Sequence, residues 1–277
     1  MPVIAVRVGE GRSGTTLLMQ LLATAPEIVF DTRYPAEYRF LSYVARMAAQ
    51  MTEPFDERRH LGVTRFFFGP APAWGPVPFG SDVVDVGRLR VPFLRSMWEA
   101  WTGQALAGRP EARYYAEKIA IPIEPIVEAG IDLRVIDLVR DPRDILASIR
   151  AFTARGIDGF ERRSDQTEDE YADGFIDRLV RRLSTMDATP DGVDRIVLRY
   201  EDLVGDLRSA ADRIGRWLGV GLDADAVLGQ REAYRHHMTT ASTDASIGRW
   251  RRDLHPAEAA RIAGALGPAM EPFGYDL

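Results

Sequence analysis

The sequence contains no cysteine among its 277 residues. This absence excludes thiol catalysis, thiolate metal sites and a disulfide scaffold. Only four histidines are present, and none of them has the spacing of a metal-ligand pair. His236 and His237 are adjacent, so their side chains diverge. We therefore interpret this pair as two polar loop histidines rather than metal ligands.

Lysine is almost as rare as cysteine, because Lys118 is the only lysine among the 35 lysine and arginine residues. An ammonium is a compact point charge, whereas a guanidinium is a planar fork, so the two are not interchangeable where one compact charge is needed. Lys118 is therefore either a functional cation or an exposed residue retained by chance.

Long hydrophobic runs are also missing, and no segment has the length of a membrane span. The apolar run at the start has no preceding basic region, as a signal peptide would, so we expect a cytoplasmic protein. The net charge of -6 gives no indication of a nucleic-acid partner. No pattern in the sequence indicates an oligomeric state.

The most informative segment is GEGRSGTT, which covers residues Gly9 to Thr16 and follows the apolar run Val3 to Val8. Its spacing is that of a P-loop, with Thr15 in place of the usual lysine and Thr16 in the serine or threonine position. The segment predicts a strand, a glycine-rich turn and a helix start whose N–H groups bind phosphate. Arg12 adds a forked cation. Without the lysine, the loop is suited to an anion that lacks a γ-phosphate or obtains its cation elsewhere.

The same loop also matches G-x-G-x-x-G, and Asp31 lies about where a ribose-binding acid is expected in a dinucleotide-binding domain. A lone fingerprint of this kind is weak evidence, and Arg12 and Ser13 are residues that bind anions. An NAD-dependent dehydrogenase is therefore a less favoured alternative, and a plain structural turn is less favoured still.

Strand and helix patterns alternate along the chain. The apolar runs Leu133 to Val139 and Arg195 to Arg199 predict buried strands, and Asp141 and Pro142 supply an N-cap and a first-turn proline for a helix over 143–155. The alternation predicts an α/β fold of three layers, α/β/α, with a central parallel sheet and ligands at the carboxyl ends of its strands. Candidate site residues occur from one end of the chain to the other, which favours a single domain over residues 1–277.

Helical spacing predicts further helices over 15–23, 36–50, 87–106, 167–186 and 206–218. Trp98 and Trp101 are expected to anchor a core. Residues 66–80 are rich in proline, glycine and aromatics with weak periodicity, which is typical of an ordered loop or lid. The role of this loop is left open, although it and the helix around Trp98 are expected to shape a ligand pocket, and their apolar character suggests an aromatic or lipid-like ligand.

Three motifs together resemble those of sulfotransferases that use 3′-phosphoadenosine 5′-phosphosulfate (PAPS). RSGTT, residues Arg12 to Thr16, resembles their 5′-phosphosulfate loop, and the run from Leu138 to Ser148 resembles their 3′-phosphate motif. Tyr200 to Leu203 reads YEDL, as in the family's third motif. With Ser246 to Trp250 the resemblance spans nearly the whole chain. Arg12 is typical of Golgi-type and many bacterial members, where cytosolic aryl sulfotransferases have lysine.

The resemblance implies a P-loop-like sulfotransferase fold with two anion sites, one for each phosphate-bearing end of PAPS. The implied cofactor-binding residues are Arg12, Ser13, Gly14, Thr15, Thr16, Arg140, Ser148, Tyr200, Gly248 and Arg249. The loop corresponds to the 5′ end, Arg140, Ser148 and Arg249 to the 3′-phosphate, and Tyr200 to the adenine. The Gly248 and Arg249 segment departs from the R-K-G form of aryl members.

From the residues alone, two of these assignments have structural alternatives. Arg140 could form an ion pair with Asp137, Asp141 or Asp144 in place of binding a phosphate, and Tyr200 could be a packing residue at a strand end.

Sulfuryl transfer needs in-line attack, charge neutralisation and removal of the acceptor's proton. The resemblance implies that Lys118 and Arg12 neutralise charge and that no metal takes part. The histidine base of aryl members is absent, because Ile119 and Ala120 follow Lys118. Glu37 is the implied base and Asp31 its competitor. Glu37 could instead be an acid at a helix N-terminus, where the helix dipole favours it.

The sequence thus predicts a PAPS-dependent sulfotransferase acting on a hydroxyl or amine of a small or medium acceptor. A P-loop nucleotide kinase or another phosphotransferase is the enzyme alternative, although the loop lysine and a clear acidic strand for magnesium are missing. A non-catalytic nucleotide-binding module is the third possibility, but such a module has no need of a single conspicuous lysine.

Overall fold

A computed structural model of the chain describes residues 1–30, 39–52, 85–156, 160, 165–230, 239–240 and 244–277. The predicted lid, residues 66–80, and the two candidate bases Asp31 and Glu37 lie outside the described residues. The chain divides into two compact units. The smaller consists of Met1, Arg39–Pro110 and Ile121–Asp132, and the larger of Pro2–Tyr38, Glu111–Ala120 and Leu133–Leu277.

The larger unit is built on a sheet of five strands, in which all neighbouring strands are parallel. The strands are β1 (Val3–Val8), β2 (Ile28–Val29), β3 (Tyr114–Lys118), β4 (Leu133–Val139) and β5 (Asp194–Arg199). Their order across the sheet is β2-β3-β1-β4-β5. The predicted parallel α/β sheet is confirmed, and β1 and β4 have the predicted bounds.

The described residues form helices in both units. In chain order they are α1 (Thr15–Leu22), α2 (Phe40–Thr52), α3 (Arg90–Gly108), α4 (Glu124–Glu128), α5 (Pro142–Thr153), α6 (Glu168–Asp187), α7 (Tyr200–Gly205), α8 (Leu207–Leu218), α9 (Ala224–Gly229), α10 (Trp250–Asp253) and α11 (Pro256–Met270). Asp141 caps α5 through the N–H of Arg143, and Pro142 is its first residue, as predicted. Within the described ranges, no helix is long and apolar enough to cross a membrane.

The sheet has a hydrophobic core on each face, because successive side chains of a strand point to opposite faces. On one face, Ile4 and Val6 of β1 join a buried cluster that includes residues of α1 and α8. On the other face, a second cluster joins Val139 to residues of α5, α6 and α11. This arrangement is the predicted three-layer architecture.

A buried ion triad lies between the central strands. Asp137 of β4 has no solvent exposure, and its two carboxylate oxygens accept hydrogen bonds of 2.7 and 2.8 Å from Arg7 of β1. Arg195 of β5 donates a third at 2.5 Å. Arg7 also donates to the main-chain oxygen of Met186 at 2.9 Å and to Thr189 Oγ1 at 2.6 Å. A buried carboxylate with this many donors has its hydrogen bonds satisfied. Removing its charge, however, leaves two cations without a counter-charge.

The smaller unit contains α2, α3 and α4. Trp98 and Trp101 of α3 stack with ring centroids 5.3 Å apart, and Phe40 of α2 stacks on Trp101 at 5.5 Å. Trp98 is buried, as predicted, whereas Trp101 is only half-buried. The helix predicted from Ala36 begins at Phe40, and Arg39 before it is not helical. Residues 36–38 lie outside the described part.

Candidate functional site

Four neighbouring strands of the larger unit end at one edge of the sheet, and each is followed or closed by a predicted site residue. Lys118 is the last residue of β3, β1 leads into the glycine-rich loop, β4 into Arg140 and β5 into Tyr200. Lys118 is paired with Val6 in the strand register and is 5% exposed. Because the carboxyl ends of parallel strands are where open α/β sheets bind ligands, this edge is the candidate site.

The loop after β1 presents backbone N–H groups at the start of α1. Gly14 has a φ of 90°, and a Cβ built there would lie 2.5 Å from Cδ2 of Tyr200, so this position needs glycine on both grounds. The amides of Gly14, Thr15 and Thr16 have no acceptor among the residues that the structure describes, nor have the hydroxyls of Thr15 and Thr16 a partner there. These groups are available to an anion.

Other groups of the loop are engaged in its own structure. The Ser13 hydroxyl donates to the main-chain oxygen of Glu10 at 2.7 Å, and the amide of Gly11 donates to Glu10 Oε1 at 2.9 Å. Arg178 and Arg182 of α6 approach Glu10 Oε2 at 3.4 and 3.0 Å. The acidic side chain inside this phosphate-type loop is therefore neutralised by two arginines and does not repel an anion at the helix start.

Arg12 has a left-handed backbone, with a φ of 68°, and its side chain reaches α5. Its Nε donates to Ser148 Oγ at 3.2 Å, and its guanidinium carbon lies 4.5 Å from the ring centroid of Phe152. Burial, followed by repulsion from Arg140, lowers the pKa of Arg12 to about 10. A cation that is partly desolvated and surrounded by like charges is stabilised by a bound anion.

Arg140 is the most buried cation of the site, at 4% exposure. Its Nη1 donates to the main-chain oxygen of Arg12 and its Nη2 to that of Ser246, both at 2.7 Å. The guanidinium carbon lies 4.1 Å from the ring centroid of Tyr200. The Nε is buried and has no acceptor among the described residues. Three of the five N–H donors of this guanidinium are therefore not engaged by the two carbonyls.

The ion-pair alternative for Arg140 is wrong within the described part of the chain, because the nearby carboxylates have other partners. Asp137 binds Arg7 and Arg195. Asp141 binds Arg143. Asp144 accepts hydrogen bonds from main-chain amides near the C-terminus.

Ser148 and Arg249 are linked through Thr239. The Ser148 and Thr239 hydroxyl oxygens are 3.2 Å apart, and Arg249 Nη1 donates to Thr239 Oγ1 at 2.7 Å. Nε and Nη2 of Arg249 donate to Asp253 Oδ2 at 2.8 and 2.5 Å. Burial tends to raise the pKa of Asp253, but hydrogen bonds from Arg249 and Arg252 hold it below its usual value. Two of the three residues predicted to contact a 3′-phosphate are thus brought together.

Sequence reasoning missed three residues of this network. The hydroxyl of Tyr200 is 2.7 Å from Ser246 Oγ, so Ser246 contacts both Tyr200 and Arg140. Thr239 joins Ser148 to Arg249, and Asp144 contacts the segment that contains Gly248. Ser246 and Asp144 belong to the motifs already singled out, whereas no motif marks Thr239. Among the described residues, no group of three or more His, Cys, Asp or Glu side chains could hold a metal ion.

Comparison with known proteins supports one family. The family model described as "Sulfotransferase family" matches residues 4–224 of this chain. Carbohydrate sulfotransferase 3 from Homo sapiens is 28% identical over 177 residues, which cover 56% of this chain and 36% of that protein. The chain therefore spans little more than a third of the length of the curated relatives that it matches.

Two solved structures of similar fold are also sulfotransferases. The sulfotransferase domain from the curacin biosynthetic pathway superposes with a TM-score of 0.53 at 15% identity, covering 96% of this chain and 98% of that one. Mouse sulfotransferase SULT7A1, complexed with PAP, superposes with a TM-score of 0.51 at 13% identity, covering 98% of this chain and 84% of that one. At these identities the likeness establishes the fold.

Proposed function

This chain belongs to the sulfotransferase family, and from that premise we propose that it transfers a sulfuryl group from PAPS to a hydroxyl or amine of a small or medium acceptor. The product of the donor is adenosine 3′,5′-bisphosphate (PAP). The observation that carries the proposal is the meeting of two anion-binding arrangements at one sheet edge. One is the amide-lined loop before α1, and the other is the group formed by Arg140, Ser148 and Arg249.

The donor groups of the site suit a ligand with two phosphate-bearing ends. The buried Nε of Arg140, which has no acceptor among the described residues, is matched by a phosphate oxygen. Burial lowers the pKa of Arg12, and the charges of Arg140 and Arg249 repel its guanidinium in addition. A dianionic 3′-phosphate offsets this repulsion. The amides of Gly14, Thr15 and Thr16 are suited to the 5′-phosphate end.

Each catalytic role follows from charge and position. When bound, PAPS supplies the sulfuryl group. Lys118, at the end of β3, and Arg12, in the adjacent loop, provide positive charge where negative charge develops in the transition state. Glu37 accepts the proton of the acceptor, with Asp31 as the competing base. In this proposal the arginines and the lysine supply the charges that a metal ion supplies in phosphotransferases.

The names of the curated relatives indicate which acceptor class to test first. Those relatives are named carbohydrate sulfotransferases, so a saccharide hydroxyl is the first acceptor to test. Because the chain spans only 36% of the human relative, the panel should also contain phenols, aliphatic alcohols and amines.

A direct assay incubates the purified protein with PAPS and this panel, in the presence of EDTA, and detects PAP and sulfated product by mass spectrometry. We expect acceptor-dependent formation of both. Phosphoryl transfer from ATP and magnesium to any acceptor, with no sulfated product from PAPS, would support the kinase alternative instead. Nucleotide binding without turnover on any acceptor would support the non-catalytic module.

A further inference from the structure

Asp144 is a buried carboxylate that links two distant parts of the larger unit. It lies in the first turn of α5 and is 1% exposed. Its Oδ2 accepts a hydrogen bond of 2.7 Å from the amide of Gly248, and its Oδ1 accepts one of 2.9 Å from the amide of Trp250. Both oxygens are therefore used by one short segment, residues 246–250, more than a hundred positions along the chain.

The segment 246–250 carries groups that the donor site needs. Its first residue, Ser246, accepts a hydrogen bond from Arg140 Nη2 at 2.7 Å. Gly248 has a φ of 66°, a left-handed conformation that the hydrogen bond to Asp144 helps to fix. Arg249 reaches Ser148 through Thr239. The position of this segment relative to α5 thus sets the spacing between Arg249 and Ser148.

Ser148 lies four residues after Asp144, on the same helix, and residues four apart share a face. One face of α5 therefore carries both the hydroxyl of the site and the carboxylate that holds the opposite segment. Asp144 touches neither the loop amides nor Lys118 in any contact that the structure records for it. Its effect on a bound ligand has to pass through the segment.

We propose that Asp144 is a positioning residue that holds the segment 246–250 against α5 and so assembles the 3′-phosphate half of the donor site. This inference rests on the proposed function. The carboxylate is suited to the task because two N–H donors converge on it and an ionised acceptor makes the stronger hydrogen bonds. An asparagine of the same shape presents one oxygen and one NH₂ group, so it cannot accept from both amides.

Several charges act on Asp144 in addition to these two amides. Burial raises its pKa above the usual value, and Asp141 acts in the same direction. The amides of Trp250 and Gly248, and the charge of Arg140, oppose that shift. The N-terminal end of α5 also favours the negative charge. The two N–H donors that converge on Asp144 therefore favour the charged form of a carboxyl whose burial disfavours it.

The test compares two nucleotides that differ only in the 3′-phosphate. PAP and adenosine 5′-monophosphate are titrated into the wild-type protein and into D144N by calorimetry. We expect D144N to weaken PAP by about tenfold or more, the typical effect of losing a hydrogen bond to a charged group, and to leave adenosine 5′-monophosphate nearly unchanged. The ratio of the dissociation constant of adenosine 5′-monophosphate to that of PAP should therefore contract. A purely structural defect would weaken both nucleotides alike.

Glu258→Gln is the matched control. Glu258 of α11 also binds α5, through two hydrogen bonds of 2.7 Å from Arg150, but it does not contact the segment 246–250. We expect Glu258→Gln to lower the midpoint of thermal unfolding without changing the ratio. Gly248→Ala is a second variant in case D144N does not fold. It strains the same segment, since the φ of 66° at Gly248 is one that residues with a Cβ rarely adopt, and it should also contract the ratio.

Three outcomes overturn the inference. The first is that D144N, or Gly248→Ala if D144N is unfolded, keeps the wild-type ratio, which would show that the segment is held without Asp144. The second is that Glu258→Gln contracts the ratio equally, which would show that any loss of stability has this effect. A wild-type protein that binds the two nucleotides alike contradicts the proposed function itself, and the inference falls with it.

Discussion

Arg140 Nη1 donates a hydrogen bond of 2.7 Å to the main-chain oxygen of Arg12, and this contact joins the loop after β1 to the loop after β4. Its Nη2 extends the link to Ser246 near the C-terminus. The guanidinium is thus fixed in place by two carbonyls and by the ring of Tyr200, while its buried Nε has no acceptor among the described residues. A rigid cation with unengaged donors is preorganised to bind an anion.

Arg140→Lys should weaken PAP binding by about tenfold to 100-fold, because an ammonium cannot donate to two carbonyls and present a planar edge to a phosphate. Calorimetric titration measures the effect. Arg208→Lys is the control, since Arg208 forms an exposed ion pair with Asp225. Equal affinities in the wild type and Arg140→Lys would remove Arg140 from the donor site.

Lys118→Arg should lose most of the turnover while the affinity for PAP changes only modestly. The ammonium is proposed to act on charge that develops in the transition state, so its removal lowers kcat more than it changes ground-state binding. Lys118 is 5% exposed, and the larger guanidinium has little room there. Steady-state kinetics beside calorimetry provide the test. A variant with wild-type kcat would show that this lysine has no catalytic role.

Glu37→Gln should lower turnover by roughly 100-fold or more, the usual contribution of a general base, and leave PAP binding intact. The glutamine keeps the shape of the side chain and removes its basicity. Asp31→Asn, measured with the same acceptor across pH, is the comparison. If Asp31→Asn is the impaired variant, the base lies directly after β2. If neither variant is impaired, the acceptor is already nucleophilic at neutral pH.

Asp137→Asn should lower the free energy of unfolding by about 3 kcal/mol or more, because it leaves the buried Arg7 and the partly buried Arg195 without a counter-charge. Urea unfolding measures this change. Asp225→Asn is the control, since its ion pair with Arg208 is exposed and should contribute less than about 1 kcal/mol. Similar losses in both variants would show that the triad is no more stabilising than a surface pair.

Local rules predicted much of the fold. The bounds of β1 and β4 follow from uninterrupted apolar runs, and the start of α5 follows from the N-cap Asp141 and Pro142. The end of β4 placed Arg140 at the carboxyl edge of the sheet, whereas β3, which ends at Lys118, was not predicted. The predicted features depend on neighbours in sequence, which is why a single chain sufficed to predict them.

The partners of the site residues could not be predicted in the same way. Arg140 binds main-chain oxygens 128 and 106 positions away, and a carbonyl has no signature in a sequence. The nearby carboxylates Asp137, Asp141 and Asp144 made an ion pair the obvious alternative, yet Asp137 and Asp144 bind distant groups and Asp141 binds Arg143 two residues away. Thr239 likewise joins the site only through the folded backbone. The single-domain boundary and the roles of Glu37 and Asp31 stay predictions.

The most direct test of the central claim, that this sheet edge binds a nucleotide 3′,5′-bisphosphate, is calorimetric titration of PAP in EDTA, repeated with ATP and magnesium and with NADH. We predict that PAP binds and, because it binds only the native state, also raises the midpoint of thermal unfolding. ATP with magnesium and NADH should bind far more weakly. Binding of ATP with magnesium or of NADH, with no heat from PAP, would contradict the account.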